Sequence, residues 1–315
     1  MKNRLPEFLR RWMLPMAMVT GVGIFLLLHY VPGWNEGGYL RVARVLQPIL
    51  VSVMLFLQLN VVAPSDLRFH KWHFILLAIQ AGLFGGLALV ATRVPPGAGR
   101  ILLECAMLCF ICPTAAAAGV ITAKIGGNLA GIMTYTVLAD ALACVVIPLM
   151  IPMVHPSAEM NFLGSFWAIV KRVFSILVLP CLLSWGIRWL FPKAQQWLAR
   201  FSGGAFYVWG IGLTLAMSLA TGALYSSGIG VAVALGIGVV SLGCCLMQFA
   251  LGRRIARGYG RSEAITAGQA LGQKNTGFII WLGLTYMTPV TSVAGGLYAL
   301  WHNLVNSWEL KKTTS

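Results

Sequence analysis

Apolar residues run along this chain in stretches of about 20, each closed by charged residues, glycine or proline. That is the length a helix needs to cross the hydrocarbon core of a bilayer. Ten stretches meet it: 12–31, 42–63, 72–92, 101–123, 128–152, 172–190, 203–222, 227–251, 263–285 and 287–306. The pattern predicts an all-α polytopic membrane protein with ten transmembrane helices. The first stretch follows Lys2, Arg4, Arg10 and Arg11, as a signal peptide's would. No small-residue cleavage site closes it, so it reads as a retained span. Residues 161–172, rich in Phe and Trp, either form a short interfacial helix or lengthen the sixth span.

Composition strengthens this reading. Of 315 residues, 58% are hydrophobic and 10% charged, against about 25% charged in a soluble domain. So few charges exclude an ordinary soluble enzyme or a secreted domain. The net charge of +15 raises the question of nucleic acid, but such a partner needs basic residues gathered on one face. Here they fall in small groups at the span ends. With the N-terminus inside, 16 of them lie on the inner side: Lys2, Arg4, Arg10, Arg11, Arg68, Lys71, Lys124, Arg188, Lys193, Arg200, Arg253, Arg254, Arg257, Arg261, Lys311 and Lys312. Six lie outside: Arg41, Arg44, Arg93, Arg100, Lys171 and Arg172. This bias predicts both termini in the cytoplasm, with the protein in a bacterial inner (plasma) membrane. The basic residue left over is Lys274, in the middle of the ninth span.

The seven cysteines all sit in apolar stretches and read as small packing residues rather than disulfides. Cys109 and Cys112 have the spacing of a redox or metal pair but no second pair beside them. Neither a metal cluster nor a catalytic triad is expected, so the chain does not read as an enzyme.

The ten spans divide into two fives, 1–158 and 159–315, which must insert with opposite topology. The fourth span of each half is interrupted, by Cys112-Pro113-Thr114-Ala115-Ala116-Ala117-Ala118-Gly119 and by Gly268 to Gly277. Matched broken helices in inverted halves point to a transporter's binding site. Lys274 lies in the second interruption, and an ionisable group at that depth is a functional expectation by default. Asp140, on one face of the fifth span with Thr136 and Ile132, is its expected countercharge. Glu104 is expected to pair with Arg100 near the interface. Gln80, His302 and Asn303 read either as helix-to-helix hydrogen bonds or as site ligands. His29, His70, His73 and His155 fall at span ends, and Gly126-Gly127-Asn128 reads as a tight turn.

Several of these segments resemble the bile acid:sodium symporter family. The resemblance rests on Cys112-Pro113, Gly126-Gly127-Asn128, Gln273-Lys274-Asn275-Thr276-Gly277, and Trp301-His302-Asn303 with Ser307. It implies a core domain of spans 3–5 and 8–10, in which the broken helices cross. It also implies a panel of spans 1, 2, 6 and 7. Organic anions would bind in the cleft near the crossover, by alternating access with sodium symport. The chain departs from that family at the sodium ligands. Ala118-Gly119 stand where the family has Ser-Asn, Ile132 where it has a hydroxyl residue, Ala270 where it has Glu, and Lys274 where it has Gln. Gln80 and Thr136 remain matched. A sodium site needs several oxygen ligands, and most are gone.

The resemblance thus implies a sodium-independent carrier of a small organic anion, with Lys274 in place of bound sodium. Lys274 either stays charged or exchanges a coupling proton. The expected substrate and coupling residues are Lys274, Asn275, Asp140, Gln273, Thr276, Thr136, Gln80, Ala118, Gly119, His302 and Asn303. Sodium is not expected as a cofactor, and membrane lipid is the surrounding partner. Alternatives are a sodium symporter with relocated ligands and a membrane sensor that keeps the fold without transport.

Overall fold

A computed structural model describes residues 4–115 and 117–314, and every regular element among them is helical. Lys2, in the expected N-terminal basic cluster, and Ala116, in the first interruption, lie outside the described residues. The long helices are α1 (Arg4–Tyr30), α2 (Glu36–Leu59), α3 (Lys71–Ala91), α6 (Leu129–Val154), α10 (Ala205–Ser226), α11 (Val231–Ala256) and α14 (Val293–Thr314). Shorter ones are α4 (Ala98–Ile111), α5 (Ala118–Lys124), α7 (Phe162–Val173), α8 (Leu179–Leu190), α9 (Pro192–Ala199), α12 (Arg261–Gly272) and α13 (Thr276–Tyr286). Six stretches are long and apolar enough to cross a membrane: 36–59, 71–91, 129–154, 162–190, 202–226 and 231–259. On α11 the residues Val231, Leu235 and Val239 recur every four positions and are 65–77% exposed. Only lipid or another apolar surface would cover such a stripe. The chain is a helical, membrane-embedded protein.

Residues 162–190 settle the open question about the sixth span. α7 and α8 join through one π-helical turn, Phe174–Val178, into a continuous rod. The segment 161–172 therefore lengthens the span and is not a separate interfacial helix. Pro180, which has no N–H to donate, explains the local change of register.

The tight turn forms as its residues require. Gly126 has φ +85°, and a side chain at Gly127 would meet Thr122 at 2.4 Å. Asn128 then caps α6, its side chain accepting from the Gly131 N–H at 3.2 Å. Glu104 pairs with Arg100 at 3.1 Å, but it is fully buried. It also takes the His155 ring at 3.0 Å and the Thr288 N–H at 3.1 Å, tying three segments together. His73 stands in the first turn of α3, at the span end where it is expected, with its ring turned into the protein. It is fully buried, accepting from the His70 N–H and bonding the Gly131 carbonyl at 2.9 Å.

Candidate functional site

Both interruptions break their helices. Pro113 disfavours helical backbone at the residue before it, and Cys112 accordingly takes φ −57°, ψ 132°, ending α4. The second break has no proline. α12 ends at Gly272, where any Cβ would lie 2.4 Å from the Phe249 ring, and Gln273 turns to extended backbone at φ −85°, ψ 123°. The two extended segments cross and pair. Thr114 and Lys274 form an antiparallel bridge, with Asn275 N–H donating to Pro113 O at 2.9 Å and Ala115 N–H to Gln273 O at 3.1 Å. The Thr114 hydroxyl adds a bond to Ala270 O at 2.7 Å.

A broken helix leaves its last carbonyls without partners, and in lipid each must be satisfied from within the protein. At the end of α4 they are met from three directions. The Gln248 amide of α11 donates to Cys109 O at 3.2 Å. Lys274 Nζ donates to Phe110 O at 3.1 Å. The Gln80 amide of α3 donates to Ile111 O at 2.8 Å and Cys112 O at 3.3 Å. Lys274 is 1% exposed, so its ammonium is buried against the negative end of a half-helix. The thiols of Cys109, Cys112 and Cys244 are its electrostatic neighbours. All seven cysteines are buried and free.

Asp140 does not meet the expectation of a countercharge. No ion pair joins it to Lys274 among the described residues, and neither carboxyl oxygen has a hydrogen-bond partner. Cys112, Cys144 and Cys181 are its electrostatic neighbours. The carbonyl that holds Lys274 comes instead from the end of α4. Helix periodicity placed Asp140 on a buried face correctly but could not say which neighbour that face meets.

The other expected residues divide cleanly. His302 Nδ1 accepts from the Lys274 N–H at 3.4 Å, and Asn275 caps α13 through Phe278 N–H at 3.2 Å. Gln273 donates to Gln269 Oε1, and Thr276 opens α13, buried. Ala118 and Gly119 open α5, with Gly119 under Leu129 and Met133. Thr136 and Asn303 turn back to the carbonyls of their own helices, Ile132 O and Ala299 O, and take no part in the crossing.

A cleft of about 640 Å³ opens between α2, α7, α10 and α13, along the half-helix that follows the second break. Its lining includes Arg44, Arg172, Gln47, Trp281 and Thr285. Both arginines are exposed, with no carboxylate within 4 Å among the described residues. Gln47 donates to Gly277 O at 2.5 Å, two residues past Asn275. Gln47 Oε1 and Asn275 Nδ2 are buried without partners. The arginines had been counted only as outer-side charges. In the sequence Arg44 stands only at the third position of the stretch 42–63, whereas α2 begins six residues earlier, at Glu36, and so sets Arg44 more than two turns inside the helix. No protein-family model matches the chain, and no curated protein matches it significantly.

Proposed function

We propose that the chain is a secondary carrier for a small organic anion, independent of sodium, in which Lys274 stands where a coupling cation would bind. The observation that carries this is the ammonium of Lys274 on Phe110 O. Ends of half-helices and unwound carbonyls are where transporters hold coupling cations, and here a tethered cation occupies that position. The cleft supports the anion. Two arginines that pair with no carboxylate among the described residues stand along it, Trp281 offers an apolar wall, and Gln47 in its lining holds Gly277 O, two residues past Asn275, whose Nδ2 has no partner.

The same reading takes the ten spans as two inverted fives. Paired side chains support it. Tyr135 of α6 donates to Gln80 of α3 at 2.8 Å, and Gln248 of α11 donates to Tyr298 of α14 at 3.1 Å. Gln80 caps α4, and Tyr298 caps α12 by donating to Gly272 O at 2.8 Å. Contacts group likewise: α3 with α4 and α6, α11 with α12 and α14, and α10 with α1 and α2. This suits a core of spans 3–5 and 8–10 beside a panel of spans 1, 2, 6 and 7. It also suits a member of the bile acid:sodium symporter family in a bacterial inner membrane, with both termini cytoplasmic.

The experiment is uptake into proteoliposomes across a panel of organic acids, in sodium and in choline, with and without a pH gradient. Saturable uptake unchanged by choline supports the reading, and a pH gradient that drives it assigns the proton. Uptake that requires sodium supports the second reading, a symporter with relocated ligands, which the unpartnered carboxyl of Asp140 favours.

A further inference from the structure

A second concavity lies at the other end of the molecule, near the C-terminus. It measures about 300 Å³ and gathers residues from the end of α11, the start of α12 and the end of α14. Four cations line it, Arg253, Arg257, Arg261 and Lys312, with one carboxylate, Glu309. Arg257 and Arg261 are exposed, with no carboxylate within 4 Å among the described residues. Lys312 Nζ sits 3.8 Å above the Trp308 ring. Arg253 is shared. Its Nη2 pairs with Glu309, while its Nε is buried with no acceptor.

The packing beneath is unusually close. A Cβ at Gly252 would fall 2.2 Å from Ala267 O, and one at Gly268 would fall 2.5 Å from Arg253 Cγ. α11 therefore lies on the backbone of α12, and the Arg253 stem crosses α12 to reach Glu309 on α14. Glu309 is 5% exposed and accepts from the Gln269 amide at 2.7 Å. Gln269 accepts in turn from Gln273, whose carbonyl receives Ala115 N–H in the crossing. An unbroken polar chain thus runs from the basic concavity, through Arg253, Glu309, Gln269 and Gln273, to the crossed helix breaks.

We propose that this concavity binds a phosphate-bearing anion, and that the bound anion loosens the helix crossing through Glu309 and Gln269. Guanidinium forks match phosphate oxygens in pairs, and Arg257, Arg261 and Lys312, which pair with no carboxylate among the described residues, suit a doubly charged group. A phosphate oxygen competes with Glu309 for the part-exposed guanidinium of Arg253. Glu309, no longer clamped by Arg253, turns from Gln269 towards water, where a carboxylate is better solvated, and the Gln269 amide loses its acceptor. A lipid headgroup and a soluble phosphate share this chemistry. Binding stands apart from the transport reading, whereas control of transport rests on it.

The test uses the full chain in phosphatidylcholine nanodiscs. One arm titrates inorganic phosphate at constant ionic strength against chloride. The other replaces part of the lipid with phosphatidylglycerol. Each reads the thermal unfolding midpoint and the hydrogen exchange of amides 112, 114–118 and 269–276. A saturable rise in midpoint is expected, with apparent affinity weakened about tenfold in Arg257→Gln or Arg261→Gln. Exchange at the crossing is expected to quicken about threefold, and not in Gln269→Leu. A response to phosphatidylglycerol alone assigns the anion to lipid, and a response to phosphate assigns it to a soluble ligand. No shift in either arm overturns the site, as does a shift that both arginine variants leave intact. Binding that leaves exchange at the crossing unchanged overturns the control. No transport substrate enters the assay, so a failure of the carrier reading cannot produce these negatives.

Discussion

Replacing Lys274 by glutamine tests the tethered cation. Removing the ammonium leaves Phe110 O short of a donor, about 1–3 kcal/mol for a buried carbonyl. It also removes a charge from the end of α4, a contribution of up to about 2 kcal/mol. Against these stands the desolvation of a buried ion, several kcal/mol on its own. The terms nearly cancel, so stability alone does not discriminate. The response to sodium does. In the wild type the position is filled, and sodium should shift the unfolding midpoint no more than choline. In Lys274→Gln, Phe110 O faces vacated space and a neutral oxygen. Sodium at ten times its dissociation constant would then stabilise by about 1.4 kcal/mol, about 2 °C for a chain this size. The assay is a thermal unfolding scan in sodium, potassium and choline chloride at equal ionic strength. Sodium-specific stabilisation of the wild type would refute the reasoning. So would a glutamine variant that shows neither a sodium response nor altered transport.

Other outcomes follow from particular contacts. Asp140→Leu removes a buried carboxyl with no partner and should raise stability by about 1–3 kcal/mol in a denaturation titration, while abolishing any sodium-driven uptake. A loss of stability would show that the carboxyl is held in place. Arg44→Gln and Arg172→Gln should each raise the KM for the anion several-fold, with stability changed by less than about 0.5 kcal/mol, because both side chains are exposed. Unchanged KM in both would empty the cleft of its role. Glu104→Ala breaks the junction with Arg100, His155 and Thr288. Equilibrium unfolding should register a loss of about 3–5 kcal/mol.

Hydropathy made most of the helices legible, because a bilayer demands length and apolarity and the chain advertises both. The breaks were legible too. Pro113 and the glycine-flanked polar run at Gln273-Lys274-Asn275 cannot continue a helix in lipid. What could not be read was partner choice. Lys274 was assigned to Asp140 because opposite charges attract, yet the ammonium serves a main-chain carbonyl, and no residue type announces where carbonyls are left over. The Gln80–Tyr135 and Gln248–Tyr298 pairs were hidden for the same reason: amides and phenols look alike whether they cap a helix or fill a core. Glu309 escaped notice because it lies past the last apolar stretch, and Gln269, although inside the second interruption, carries no sign of the carboxylate it meets. The helix-terminal stretch 161–172 was ambiguous because its amphipathic pattern suits either an interface or a span. Pro180, whose effect is to shift register rather than to break, lies beyond it.

The cation at the crossing is covalently attached, which has a thermodynamic consequence. A bound ion enters from one side and leaves on the other, and its gradient can lift the substrate uphill. An ammonium on a side chain never leaves. A carrier built this way, with no proton exchanged at Lys274, draws only on the voltage acting on the anion itself. That is about 2.3 kcal/mol per charge for every 100 mV, or about fifty-fold in concentration. In a membrane negative inside, the force points outward, so such a protein would work as an exit route for its anion rather than as a scavenger.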